Sequence, residues 1–122
     1  MALIFIISIV TTVYAATGSI SLGASTDTVL LGKTFTVTIA GVADNDITAL
    51  QGSLSYDTEK LSIEEKVPGT NFSDLSGSNE IAITSSSEGI TSGTLYTITF
   101  KVLDTAELGE TTIKVENATL AL

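Results

Sequence analysis

Carboxylates, hydroxyls and lysines are the reactive groups this sequence offers. It contains neither His nor Cys, and 14 acids stand against 5 bases, a net charge of −9 over 122 residues. Imidazole is the usual proton carrier near neutral pH, and thiolate metal sites and disulfides need Cys. Two acidic stretches come nearest to a site. The "DND" at residues 44–46 offers oxygen ligands of the kind Ca²⁺ accepts. It lacks the alternating acids, central Gly and terminal Glu of an EF-hand loop, and reads as a plain turn. The "DTEK" at residues 57–60 begins with Asp57, whose carboxylate is placed to accept backbone N–H bonds from the following turn. No second group of matching chemistry accompanies it, and no nucleophile–base pair is identifiable. These residues predict a protein that is not an enzyme and holds no metal or cofactor.

The remaining chemistry is recognition. The acid excess repels a phosphate backbone and an anionic membrane surface, which disfavours nucleic acid and lipid as partners. Sugar faces are commonly held on exposed aromatic rings, much as bases stack on such platforms. After residue 15 the chain has Phe35, Tyr56, Phe72, Tyr96 and Phe100. Alternation directs four of them inward and leaves Phe72 in a loop. One ring makes no platform, so protein binding ranks above carbohydrate binding.

A candidate contact face lies in "LQGSLSYDTEKLSI", residues 50–63. Leu50, Leu54 and Tyr56 alternate with Gln51, Ser53 and Ser55, the pattern of a half-buried strand. Ala49, Gln51, Ser53 and Ser55 then form a flat row that hydrogen-bonds and has little side-chain entropy to lose on contact. The plainer alternative is a face that merely meets water.

The elements that position this row are strands. In "KTFTVTIAG", Phe35, Val37 and Ile39 alternate with threonines. "GSISLG" and "TDTVLLG" precede it, and "VADND" reads as a turn after it. "KVPGTNFSDLSGSN" holds the only Pro and reads as a loop. "EIAIT" is a short strand. "GTLYTITFKVL" points Tyr96, Ile98, Phe100 and Val102 inward; "DTAELGE" turns at Gly109, and "TTIKVENATLAL" closes the domain. The count is about nine strands without a sustained helical period, which predicts an all-β antiparallel sandwich of jelly-roll or immunoglobulin type.

The first residues differ. "MALIFIISIVTTVYA" has an apolar stretch at residues 2–10 and small residues at Val13 and Ala15. That is the pattern of a secretion signal cleaved after Ala15, although no Lys or Arg follows Met1. The expectation is therefore a signal peptide at 1–15 and a sandwich domain at 16–122, extracellular or at the cell surface. With the signal removed it is not an integral membrane protein. A retained apolar strand or anchor is the alternative.

Together "GKTFTVTI", "ALQGSLSYDTEKLSI", "SGTLYTITFKV" and "LGETTIKV" resemble the bacterial cohesin domain, in order and spacing, over nearly all of residues 18–122. The resemblance implies a nine-stranded jelly-roll sandwich. It also implies an extracellular attachment module that binds a dockerin-like protein in polysaccharide-degrading or cell-surface assemblies. The best-known members dock on a flat sheet face with an Asn-x-Asp pair in the strand that ends in Tyr-Asp. Here that pair falls on Ala49 and Gln51, and neither matches. A carbohydrate-binding module, which shares the fold, and a structural subunit of a surface filament are the alternatives.

Overall fold

The computed structural model describes residues 3–8, 18–70, 72–74, 80–85 and 89–121. Their strands are β1 (Leu3–Ser8), β2 (Gly18–Ala24), β3 (Thr28–Leu30), β4 (Thr34–Ile47) and β5 (Ala49–Ser55). After these come β6 (Leu61–Pro68), β7 (Phe72–Asp74), β8 (Glu80–Ser85), β9 (Ile90–Val102) and β10 (Gly109–Ala121). They form a four-stranded sheet, β2-β4-β9-β6, and a six-stranded sheet, β3-β1-β10-β5-β8-β7. The fold is an all-β, antiparallel sandwich, as the alternation predicts, and of the two types left open it is the jelly roll that the cohesin resemblance implies. One pairing among the described strands is parallel, that of β1 with β10.

The core follows from period-two alternation on β4 and β9. Val37 and Ile39 on one, and Tyr96, Ile98, Phe100 and Val102 on the other, are fully buried. Each such side chain contributes about 1.5–3 kcal/mol by leaving water. Phe100 is the aromatic centre. It stacks on Phe35 at 5.5 Å and meets Tyr56 edge-on at 5.2 Å. Leu50, Leu54, Ile113, Val115 and Leu120 face them from the six-stranded sheet.

Three local expectations are corrected. First, "VADND" is not a turn: β4 runs through it to Ile47, alternating Ala43 inward with exposed Val42 and Asp44. β2 pairs with the strand as far as Ala43, and residues 44–46 fall in an irregular stretch before β4 meets β9 again at Ile47 and Ile90. The turn is reduced to Thr48, which passes the chain between sheets. The amide of Thr48 donates to the carbonyl of Ala121 at 2.8 Å, and its hydroxyl donates to the same oxygen at 3.2 Å. Second, the region around Pro68 is not wholly loop. β6 continues to Pro68, and Phe72 begins β7 with only 7% of its surface exposed. Third, Leu95 joins the core. Ile39 pairs with Tyr96 and Ala40 with Thr94, so Leu95 is the extra residue of a β-bulge and is buried beside Tyr96.

Turns elsewhere behave as their residues suggest. Gly32, with φ of 78°, takes the left-handed conformation that L side chains avoid, and its amide donates to the carbonyl of Val102 at 2.8 Å. Asp57 accepts a 2.9 Å bond from the Glu59 amide at Oδ1, and its carbonyl accepts from Lys60 and Leu61. It is the expected turn former. The cleavage positions Val13 and Ala15 lie outside the described residues.

Candidate functional site

The candidate row lies on β5, in the interior of the six-stranded sheet. Leu50 and Leu54 are 1% and 6% exposed. With Leu50 and Leu54 anchoring one side, the period of two turns Ala49, Gln51, Ser53 and Ser55 outward. Gln51 and Ser53 are exposed, and Ala49 and Ser55 half-buried. All four sequence-predicted residues thus share one face, built by burial on the other.

Its neighbours come from strands distant in sequence. On one side, Ser55 pairs with Lys114, Ser53 with Glu116, Gln51 with Thr119 and Ala49 with Ala121. On the other, Ser53 pairs with Glu80, Gln51 with Ala82 and Ala49 with Thr84. β7 extends the sheet, Ser73 pairing with Thr84. Ser53 therefore sits in register between Glu116 and Glu80. Lys114 and Glu116 are about half exposed and their charged groups are 3.9 Å apart, a loose surface pair worth little to stability. The sequence pattern finds the β5 row; it does not find Lys114 or Glu116, because only sheet pairing brings residues sixty positions away alongside.

Nothing in this row suggests bond-making chemistry. Tyr56, at the end of the strand, is packed against the core, and desolvation pushes its phenol above the usual pKa. At one end of the sandwich, Asp57, Glu59, Lys60, Thr105 and Glu107 line an open depression of about 500 Å³. Lys60 Nζ donates to the carbonyl of Glu110 there, at 3.2 Å. The depression has no aromatic lining. Burial of Phe72 removes the ring expected to be free for a sugar, and Val42, Val67 and Leu108, the large exposed apolar side chains among the described residues, are aliphatic.

Comparison with known proteins adds the family. The model of the cohesin domain matches residues 18–122. The chain belongs to the cohesin family. Comparison with curated proteins gives no match. Among solved structures, the chain is similar to the cohesin module of a family 33 glycoside hydrolase from Clostridium perfringens. That match has a TM-score of 0.68 and 14% identity, covering 90% of this chain and 84% of the other. It is also similar to the sixth cohesin of scaffoldin B from Acetivibrio cellulolyticus, solved with a Cel5 dockerin. There the TM-score is 0.60 and the identity 16%, over 75% and 77% of the two chains. A type II cohesin–X-dockerin complex from the same organism matches at 0.59 and 15%, over 84% and 86%. At these identities the likeness speaks for the fold. The cohesin domain is a non-catalytic binding module, which suits a row of Ser, Gln and Ala on a flat sheet.

Proposed function

We propose that this cohesin is an attachment module without catalytic activity, which captures a dockerin-type protein partner through the outer face of β10, β5 and β8. The family match over residues 18–122 carries the reading, and the Acetivibrio relatives, solved with dockerins, supply the partner class. The face suits it physically. Short side chains lose little entropy when covered, and the strand is held by Leu50 and Leu54 rather than by the residues a partner would touch. Ala49 and Gln51 stand where the best-known members carry Asn and Asp, so the hydrogen bonds to the partner come from Gln51, Ser53 and Ser55 instead. The setting is the outside of the cell or its surface, reached by an export signal cleaved after Ala15.

Titration calorimetry against a panel of purified dockerins tests the reading. At least one dockerin should bind the parent protein, and Ser53→Arg should abolish that binding while leaving the melting temperature nearly unchanged, because a bulky cation breaks a flat fit and is desolvated at the contact. No binding to any dockerin, or undiminished binding by both Ser53→Arg and Gln51→Arg, overturns it. Processing is read separately. N-terminal sequencing of the exported protein should begin at Ala16, and a start at Met1 removes the signal.

A further inference from the structure

The described strands leave four sheet edges, and three of them are blunted. β3 and β7, the margins of the six-stranded sheet, are three residues long. β6, one margin of the four-stranded sheet, carries Glu64, Glu65, Lys66 and Pro68, and its register with β9 shifts between Ile63 and Glu65. Charge, proline, bulges and shortness are the devices that keep an open strand from recruiting another chain. β2, the remaining margin, has none of them. Its seven residues, Gly18–Ala24, include no charge and no Pro. They pair with β4 in an unbroken register, from Gly18 with Ala43 to Ala24 with Val37. Among the described strands, none pairs with the other side of β2. The phase of its backbone follows from the amide of Ser25, which donates to the carbonyl of Thr36 at 2.8 Å. Counting back in twos, Gly23, Ser21 and Ser19 bond to β4. Gly18, Ile20, Leu22 and Ala24 then turn their amides and carbonyls to the open side.

We propose that β2 is a self-docking edge, which pairs antiparallel with β2 of a second copy of this chain across a two-fold axis at Ser21. A two-fold contact must be self-complementary, and β2 is. Ile20 and Leu22 are 2% and 7% exposed, so the second strand must keep its own Ile20 and Leu22 on the inner side. The register that does so and uses all seven residues sets Ile20 against Leu22 and Gly18 against Ala24. These are the residues whose backbone groups turn to the open side. Ser21 then meets its own counterpart in a non-hydrogen-bonded pair, and Ser19 meets Gly23. No acid enters the contact, because the outer row beside Ser21 continues into Ala40 and Thr94. That matters in a chain of net charge −9, whose copies otherwise repel. A strand pair of this length belongs to the weak class of interface, burying under about 1,200 Å². The dimer therefore builds with concentration, and added salt strengthens it by screening the repulsion. β2 begins after Ala15, so the pairing is independent of cleavage there. β2 and β5 lie in different sheets, so the proposal stands apart from dockerin capture and leaves the β5 row of each copy uncovered.

Sedimentation of the full chain, in a series up to about 1 mM, should show a monomer passing to a dimer, and passing further at higher salt. Ser21→Lys and Ser21→Glu each set like charges directly opposite one another at the axis, and each should weaken the dimer at least about tenfold. An equimolar mixture of the two should restore it as a heterodimer. The sequence has no Cys, which permits a second reading. Ser21→Cys should give a disulfide-linked dimer under mild oxidation. The Cα atoms of a non-hydrogen-bonded pair lie about 4.5 Å apart, and a disulfide accepts about 4.4–6.8 Å. Ser19→Cys, on the same exposed row, lies about 14 Å from its counterpart in this register and should stay unlinked. Serine and cysteine differ little in volume, so this reading holds even where a charged variant folds poorly. A parent chain that stays monomeric throughout overturns the proposal. So does a dimer indifferent to both charges at Ser21, a mixture that fails to recover, or Ser19→Cys linking as readily as Ser21→Cys.

Discussion

The outer faces of the two sheets are made of different residues. On the four-stranded sheet, Thr36 pairs with Thr99 and Thr38 with Thr97 across β4 and β9. Threonine is β-branched and suits a pleated surface by its own shape. On the six-stranded sheet, β5 presents Gln51, Ser53 and Ser55, with Gly52 between. None of these is a residue that strands favour. Propensity explains the threonine face and leaves the β5 face unexplained. The strand there is held from behind by Leu50 and Leu54 and from the sides by β10 and β8. Its outer residues are therefore free to serve contact rather than folding.

Four measurements sharpen or break this contrast. The largest effect belongs to the core that both faces cover: Phe100→Ala, which empties the space between Phe35 and Tyr56, should destabilise by about 3–5 kcal/mol in denaturant unfolding. Next comes the anchor behind the β5 row. Leu54→Ala should cost about 2–5 kcal/mol, and a loss near zero would show that Leu54 does not hold the strand. Asp57→Ala, removing the bond to the Glu59 amide, should cost about 1 kcal/mol, with most of it restored by Asp57→Asn. The smallest effects are on the faces themselves. Ser53→Arg and Thr38→Arg should each change stability by under about 0.5 kcal/mol, but only Ser53→Arg should abolish dockerin capture. Equal loss of capture in both would erase the distinction between the sheets.

The facing of the candidate row is legible in the sequence. Alternation at residues 49–55 is a local property, so it placed Leu50 and Leu54 inward and Gln51 and Ser53 outward correctly. The hydrophobic phase of β9 was equally plain from Tyr96 onward. What failed were places where a local signal lost to pairing. Asp44, Asn45 and Asp46 look like a turn, yet β4 runs on through them between its pairing with β2 at Ala43 and its pairing with β9 at Ile47. Phe72 follows Pro and Gly in a polar stretch, yet β7 pairs with β8 and folds the ring inward.

By itself, the sequence determined that this protein is an all-β sandwich, which alternating residues of β4, β5 and β9 enter its core, and which row of β5 faces out. Each of these follows from a period of two along the chain and from the cost of leaving apolar groups in water. Tertiary structure decided the rest. It set Lys114, Glu116 and Glu80 in register beside a row of serines, admitted Leu95 to the core through a bulge, and lodged an apolar N-terminal strand between β3 and β10. Those outcomes depend on which strands become neighbours and in what register. Pairing between strands far apart in sequence sets both, and no local pattern encodes it.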